Sequence, residues 1–464
     1  MSNKKLWSGR FDKDVNQLVL EFTESISFDK RLALYDIKGS IAHIKMLAHC
    51  NIINEKEKEK IIKGLKKIER LILDNKFNFS KEYEDIHLNI ENYLIKSIGE
   101  VGKKLHTARS RNDQVLVDIY LYLRDSINNI ISILNKLLKE IVSLAEKNLT
   151  IIIPGYTHLQ QAQPVLFSHY IMAYFFKFNR DRERFINNLK SVEILPLGVG
   201  ALAGVNYKTD RKYLAKLLGF KRVSENSIDT VSNRDFLIEF IFNSALTALH
   251  ISRLSEDFII FNSEEFKYIE IDDAFTTGSS IMPNKKNPDV FELLRGKSAK
   301  IYGDLMSIFT LLKALPLSYN RDLQEDKKIL FETEEYITAM LSILKETLNN
   351  IKVNQENIFN NMRNGFTLAT DIADYLVKNN IPFRQAHTFT GKLIKFCENK
   401  GKSLFELKRG DLKNILPLKD KELDGIFAIL DYHKSVNSKE SYGATSRKSV
   451  LNQIKKAKKM LNLN

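Results

Sequence analysis

Two adjacent serines and a pair of lysines stand out in TTGSSIMPNKKNPDVFELLRGK, residues 276–297. Gly278 gives Ser279 and Ser280 a flexible approach, and Lys285, Lys286 and Asn287 gather just before Pro288 opens a helix, with Asn287 as its N-cap. A helix N-terminus offers free N–H groups and the positive end of its dipole, which suits a carboxylate or a phosphate. The same residues also read as an ordinary exposed loop ahead of a capped helix. Ser279 or Ser280 acts as a base only where oxyanion donors pull the hydroxyl pKa far down, work that the lysines and backbone N–H groups could do.

Three further segments join donors to a long apolar run. GYTHLQQAQP (155–164) sets His158 between Thr157 and Gln160, in a stretch with no apolar reason to exist. Such a histidine can work as acid or base near neutral pH. Glu292, one turn into the helix after Pro288, would orient and charge His158 if the fold brings them together. KKLHTARSRNDQV (103–115) supplies Arg111, a bidentate fork for a carboxylate, and Asn112, which hydrogen-bonds both ways. Asn112 or Asp113 would equally start the long helix as a cap. The last segment is SYNRDLQEDK, 318–327. His43, His49, His169 and His250 read as structural. GVGALAG (198–204) has the wrong glycine spacing for a dinucleotide fingerprint, and GxxxxGK[ST], GxSxG and HExxH do not occur. With the histidines scattered, neither metal nor cofactor is expected.

Long helices must position these segments. From Gln114 to about Lys147 apolar residues recur every three or four positions, and similar patterns run from Asp235 to Phe261, Pro288 to Leu315 and Asp326 to about Ile351. Only 8 prolines interrupt 464 residues, and 44% hydrophobic residues suffice for a substantial core. Helices of this length with broad apolar faces bury one another in a bundle and continue into an oligomer. Strand–helix alternation is missing, so the expected class is all-α rather than doubly wound. Three parts are expected: an N-terminal, mostly helical part (1–111), a central long-helix bundle (112–361) and a small helical C-terminal part (362–464).

The net charge of +14 invites a nucleic-acid partner. Acids are mixed through the basic stretches, as in NEKEKEKIIKGLKKIER, and no nucleic-acid motif accompanies them, so the lysines read as a solvated surface. Cys50 and Cys397 cannot build a disulfide framework or a cysteine-based zinc site. No apolar run reaches the ~18–20 residues of a membrane span, and the start has no apolar signal-peptide region, so a cytoplasmic setting is expected.

Taken together the four segments resemble the fumarase/aspartase superfamily of lyases and, within it, the argininosuccinate lyases, over nearly the whole chain. GSSIMPNKKNP matches the superfamily's GSSxMPxKxNP signature. HTARSRNDQV, GYTHLQQAQP, YNRDLQEDK and the KKNP ending point to the member family, with WSGRF (7–11), GALAG (200–204) and NSIDTVSNRDF (226–236) in support. The resemblance implies an all-α homotetramer whose active sites combine segments from three subunits. It also implies cleavage of argininosuccinate to arginine and fumarate, the last step of arginine synthesis, without metal or cofactor. In that family pattern Ser279 is the catalytic serine, His158 the second acid–base residue with Glu292 as its partner, and Lys285 and Asn287 stabilise the aci-carboxylate. Ser25, Arg111, Asn112, Thr157, Tyr319, Gln324 and Lys327 match substrate contacts, with Asp85 and His87 in support. Ala108 stands where the family usually has Gly, Asn284 where Gln is usual, and Gln161 where Arg is common. Other readings are a sister lyase releasing fumarate from another succinyl-amine, such as adenylosuccinate lyase, and a crystallin-like scaffold without activity.

Overall fold

A computed structural model describes residues 15–463, so the WSGRF stretch lies outside the described residues. Five long helices dominate: Arg111–Lys147, Phe167–Ser191, Asp235–Asn262, Asp289–Leu312 and Asp326–Asn349. Four of them follow the apolar periodicity closely. Phe167–Ser191 is an addition: its buried side is largely aromatic, with Phe167, Tyr174, Phe175, Phe178 and Phe185 at 5% exposure or less. Strands among the described residues occur only as four two-stranded ribbons, so the all-α class stands.

The chain divides into two compact units, one from Met1–Ile131, Glu183–Leu246 and Lys300–Ile337, the other from Ser132–Arg182, Thr247–Ala299 and Thr338–Asn464. In the first, the lysine-rich helix Glu55–Leu73 shows where the basic charge goes. It buries Ile61, Gly64, Leu65 and Ile68, a three-and-four spacing, and turns its lysines outward. Burying each of its aliphatic side chains contributes about 1.5–3 kcal/mol. At Gly64 a Cβ would lie 2.5 Å from Leu94 Cδ1 of the neighbouring helix Ile86–Ile98, so any side chain there would push Leu94 aside. Asn54 and Glu57 close a reciprocal capping box at the start of Glu55–Leu73. Tyr120 meets Phe236 at 4.0 Å between ring centroids, and Phe185 meets Phe240 at 5.9 Å.

In the second unit, buried Asp181 holds His250 Nδ1 at 2.6 Å, a structural histidine as the sequence suggested. Tyr170 and Tyr174 both donate to Asp257, and Phe258 packs edge-on against Phe291. GYTHLQQAQP folds into an antiparallel hairpin, Ile152–Thr157 with Gln160–Leu166. Pro154 faces Pro164, a pairing that fits a ribbon with free edges. Gly155 sits at a register shift, where a Cβ would lie 3.0 Å from the Gln163 carbonyl. The far end of the hairpin is clasped from the C-terminal GATS stretch, with Leu166 N donating to Thr445 Oγ1 at 2.8 Å. Among the described residues, no helix is long and apolar enough to cross a membrane.

Candidate functional site

The first unit gathers Ser25, Arg111, Asn112, Tyr319, Gln324 and Lys327. The long helix opens at Arg111 because Ser110 caps it: its Oγ accepts from Asn112 N at 3.2 Å, while Asp113 Oδ1 reaches back to Ser110 N at 2.9 Å. Neither Asn112 nor Asp113 is therefore the cap. Asp113 Oδ2 takes the N–H groups of Gly198 and Gly200, both at 2.9 Å, and Asn112 Nδ2 donates to Ala201 O at 3.3 Å. GVGALAG thus serves as a backbone collar around the helix start. Arg111 is aimed by two partners, Asp85 Oδ2 at 3.0 Å from its Nε and Gln114 Oε1 at 2.5 Å from its Nη1.

Ser25 is buried and donates to Asp29 Oδ2 at 2.6 Å; Asp29 Oδ1 in turn accepts from Ile86 N at 3.2 Å. Burial pushes the Asp29 carboxyl up to about 6, although His87, the Ser25 hydroxyl and Lys327 pull the other way. Gln324 and Arg321 both donate to the Thr23 carbonyl, and the Ser25 and Ile26 N–H groups bond to Glu84 O, so three distant segments fix one another. Lys327, 5% exposed, lies 3.1 Å from Asp326, and Asp326 also pairs with buried Arg234. Tyr319 faces this group; burial raises its pKa, with the Asp326 charge adding to the shift.

The second unit presents its candidates differently. Thr157, His158 and Leu159 form the exposed tip of the hairpin, with φ of 55° at His158 and 57° at Leu159. Two successive positive φ values make a type I′ turn, the geometry that matches strand twist. That arrangement points His158 away from the ribbon at the cost of strain in Leu159. Ser279 follows a two-residue ladder, Thr277–Gly278 with Lys286–Asn287, and its Oγ accepts from Ile281 N at 3.3 Å and Met282 N at 3.1 Å. Two backbone donors on a hydroxyl oxygen stabilise an alkoxide, as a serine base needs. Lys286 is occupied with Asp273 at 2.6 Å and Glu270 at 3.6 Å, whereas exposed Lys285 has no ion pair among the described residues. Asn287 lies in the ladder, so the Pro288 carbonyl takes the first helical N–H bonds and Asn287 is not the cap. Glu292 is exposed one turn on.

Among the described residues, no hydrogen bond or ion pair joins His158, Ser279, Lys285 and Glu292 to one another within the chain. Sequence reasoning overlooked Asp29, Asp36, Gln114, Asp118, Arg234 and Asp326. The signal was present: Asp36 and Asp118 interrupt apolar faces of helices, where a charged residue implies a buried partner. Asp36, His87 and Asp118 form a buried trio whose ligand atoms lie within 4.8 Å of one another, a spacing that could hold a metal ion. Gln161 is half-buried and donates to Asn361 O at 3.3 Å, so its replacement of the family's Arg is not a surface change.

A family model described as "Lyase" matches residues 9–303, and one described as "Argininosuccinate lyase C-terminal" matches residues 366–437. The chain is 49% identical over 454 residues to the argininosuccinate lyase of Alkaliphilus metalliredigens (strain QYMF), covering 98% of each. It is 47% identical over 462 residues to that of Sulfurihydrogenibium sp. (strain YO3AOP1), covering 100% of each. Among solved structures, EDDS lyase in complex with formate superposes with a TM-score of 0.84 at 25% identity, over 96% of this chain and 88% of that one. A class II fumarase from Schistosoma mansoni shares the fold, with a TM-score of 0.75 at 17% identity over 89% and 92%. The chain therefore belongs to the argininosuccinate lyase family of the fumarase/aspartase-like lyases.

Proposed function

We infer that the protein cleaves argininosuccinate to L-arginine and fumarate. The observation that bears most on this is the Ser279 hydroxyl under two backbone donors, in the same loop as exposed Lys285, which has no ion pair among the described residues. Ser279 as base takes a proton from the carbon next to a substrate carboxylate, and the electron pair spreads into an aci-carboxylate. Lys285 and Asn287 stabilise that charge. The pair then collapses to form the carbon–carbon double bond as the C–N bond breaks, and His158, oriented by Glu292, protonates the departing guanidinium nitrogen. Arg111, Asn112, Ser25, Thr157, Tyr319, Gln324 and Lys327 hold the substrate's carboxylates and amino group.

In keeping with the family resemblance, the working form is a homotetramer in which the segments around Arg111, His158 and Ser279 come from three subunits. The three-part division at residues 111 and 361 and a cytoplasmic setting go with this reading; both cysteines, Cys50 and Cys397, are free thiols. The decisive assay follows fumarate by its ultraviolet absorbance, with argininosuccinate, adenylosuccinate, aspartate and malate offered separately. Release from argininosuccinate alone is expected. Activity on another succinyl-amine instead would keep the chemistry and change the substrate, and silence on all four from a folded tetramer would leave a scaffold.

A further inference from the structure

Behind Arg111 lies a chain of buried polar groups with no part in the chemistry above. Gln114 accepts from Arg111 through Oε1 and donates through Nε2 to Asp36 Oδ1, both at 2.5 Å. Its amide can face only this way, because a flip would set NH₂ against a guanidinium and an oxygen against a carboxylate. Asp36 Oδ1 also faces His87 Nδ1 at 3.0 Å, and Asp118 Oδ2 lies 3.4 Å from that same nitrogen. The three are 2% exposed or less. Asp36 Oδ2 and both oxygens of Asp118 have no hydrogen-bond partner in this arrangement.

We propose that Gln114, Asp36 and Asp118 form a positioning relay that holds the Arg111 guanidinium towards the substrate carboxylate, with Asp118 as a neutral acid donating its proton to Asp36; this rests on Arg111 being a substrate contact. Two ionised carboxylates this close and this dry would repel one another strongly, and one proton between them removes the repulsion while giving Asp36 Oδ2 its missing donor. Burial and the Asp36 charge both hold the Asp118 carboxyl far above the usual range. Burial pushes Asp36 the same way, but His87, Arg109 and Gln114 outweigh it and keep Asp36 ionised. The groups facing the pair come from every side: Asp36 from Ala33–His49, His87 from Ile86–Ile98, and Arg109, Arg111 and Gln114 around the start of the long helix. A metal ion on this trio would sit beside Arg109 and Arg111, whose charges already act on Asp118. Holding the fork in advance removes the cost of ordering it when substrate binds.

The test measures kcat and KM on the full-length protein. Gln114→Met keeps the side-chain length and cuts both links, so KM for argininosuccinate should rise about 10-fold, the worth of one hydrogen bond to a charged group, with kcat little changed. In an Arg111→Ala background the same change should add nothing, because its effect runs through that arginine. Asp118→Asn, whose amide still donates to Asp36, should keep the wild-type KM, whereas Asp118→Leu should raise it. If Asp118→Leu does not fold, Asp118→Asn decides against wild type. An unchanged KM in Gln114→Met, an equal shift without Arg111, or a 10-fold loss in Asp118→Asn overturns the relay. So does a stoichiometric metal ion in the purified protein. Should the wild type release no fumarate, the functional reading fails and the relay is judged by calorimetry with succinate. Weaker binding by Gln114→Met would then support it, and equal binding or none to the wild type would overturn it.

Discussion

The two units treat their candidate site residues in opposite ways. In the first, the candidate binding groups are buried or half-buried and already held: Arg111 between Asp85 and Gln114, Lys327 against Asp326, Ser25 on Asp29. In the second, His158 stands at the tip of a strained turn, and Lys285 and Glu292 are exposed, with no ion pair among the described residues. A group that only holds substrate gains from being fixed before the substrate arrives. A group that must move a proton gains from being left free to meet its partner. Damage should therefore show as lost folding or weaker substrate binding in the first unit and as lost turnover in the second.

The largest effect is expected at the reactive loops. Ser279→Ala should abolish fumarate release while leaving the thermal midpoint near wild type, and a near-normal kcat would remove the serine from the mechanism. His158→Asn should cut kcat by roughly 10²–10⁴-fold, the usual worth of an acid–base residue. If each site takes Ser279 and His158 from different subunits, as proposed, mixing the two inactive variants should restore part of the activity through hybrid tetramers. No recovery would count against sites shared between subunits.

Arg234→Met should do the reverse. It strips the 0%-exposed Asp326 of one of its two cations, and breaking a buried pair this way typically costs about 3–5 kcal/mol. The unfolding free energy from urea titration should fall by that amount and the midpoint with it, with Lys327 holding the loss toward the low end. An unchanged midpoint would mean that the first unit is not the rigid partner in the comparison.

How much of this was legible follows the same divide. The candidate loops stood out in the sequence because Ser279, Lys285, His158 and Glu292 sit in short contiguous motifs next to helical periodicity. The buried charges were not, since Asp36 meets His87 across 51 positions and Arg234 meets Asp326 across 92, with no local pattern tying them together. The helix Phe167–Ser191 escaped notice because charges such as RDRER break its apolar run. The hairpin escaped because Pro154 and Pro164, which usually argue against a strand, lie opposite one another on a two-stranded ribbon. Two of the four expected helix starts hold, at Asp235 and Asp326, and the other two moved to Arg111 and Asp289 because caps depend on side-chain geometry: Ser110, not Asn112, closes the box.

Asp29 offers a pH test of the buried side. Its carboxyl is raised from 3.8 to about 6, so the folded state holds that proton more tightly than the unfolded chain. Its stabilising effect is complete below about pH 4 and lost as the pH passes about 6, a change of about 3 kcal/mol. Asp29→Asn can still accept from Ile86 N but does not titrate. Urea midpoints taken at pH 5 and pH 7.5 should fall more for wild type than for the variant. Parallel slopes would mean that Ser25 and Lys327 already compensate the charge.

The smallest expected change lies on the family's own departure. Ala108 has φ of 55° in the turn that leads to Arg109–Asn112, a left-handed conformation in which a Cβ crowds the following carbonyl. The family's usual glycine is free of that strain, so Ala108→Gly should stabilise the protein by about 0.5–1 kcal/mol, even after the extra freedom glycine gives the unfolded chain. The methyl is only 9% exposed, and its packing opposes the gain. A higher thermal midpoint with unchanged KM would show that the first unit carries strain without using it. A lower midpoint would show that the methyl is part of the packing that holds Arg109 and Arg111 in place.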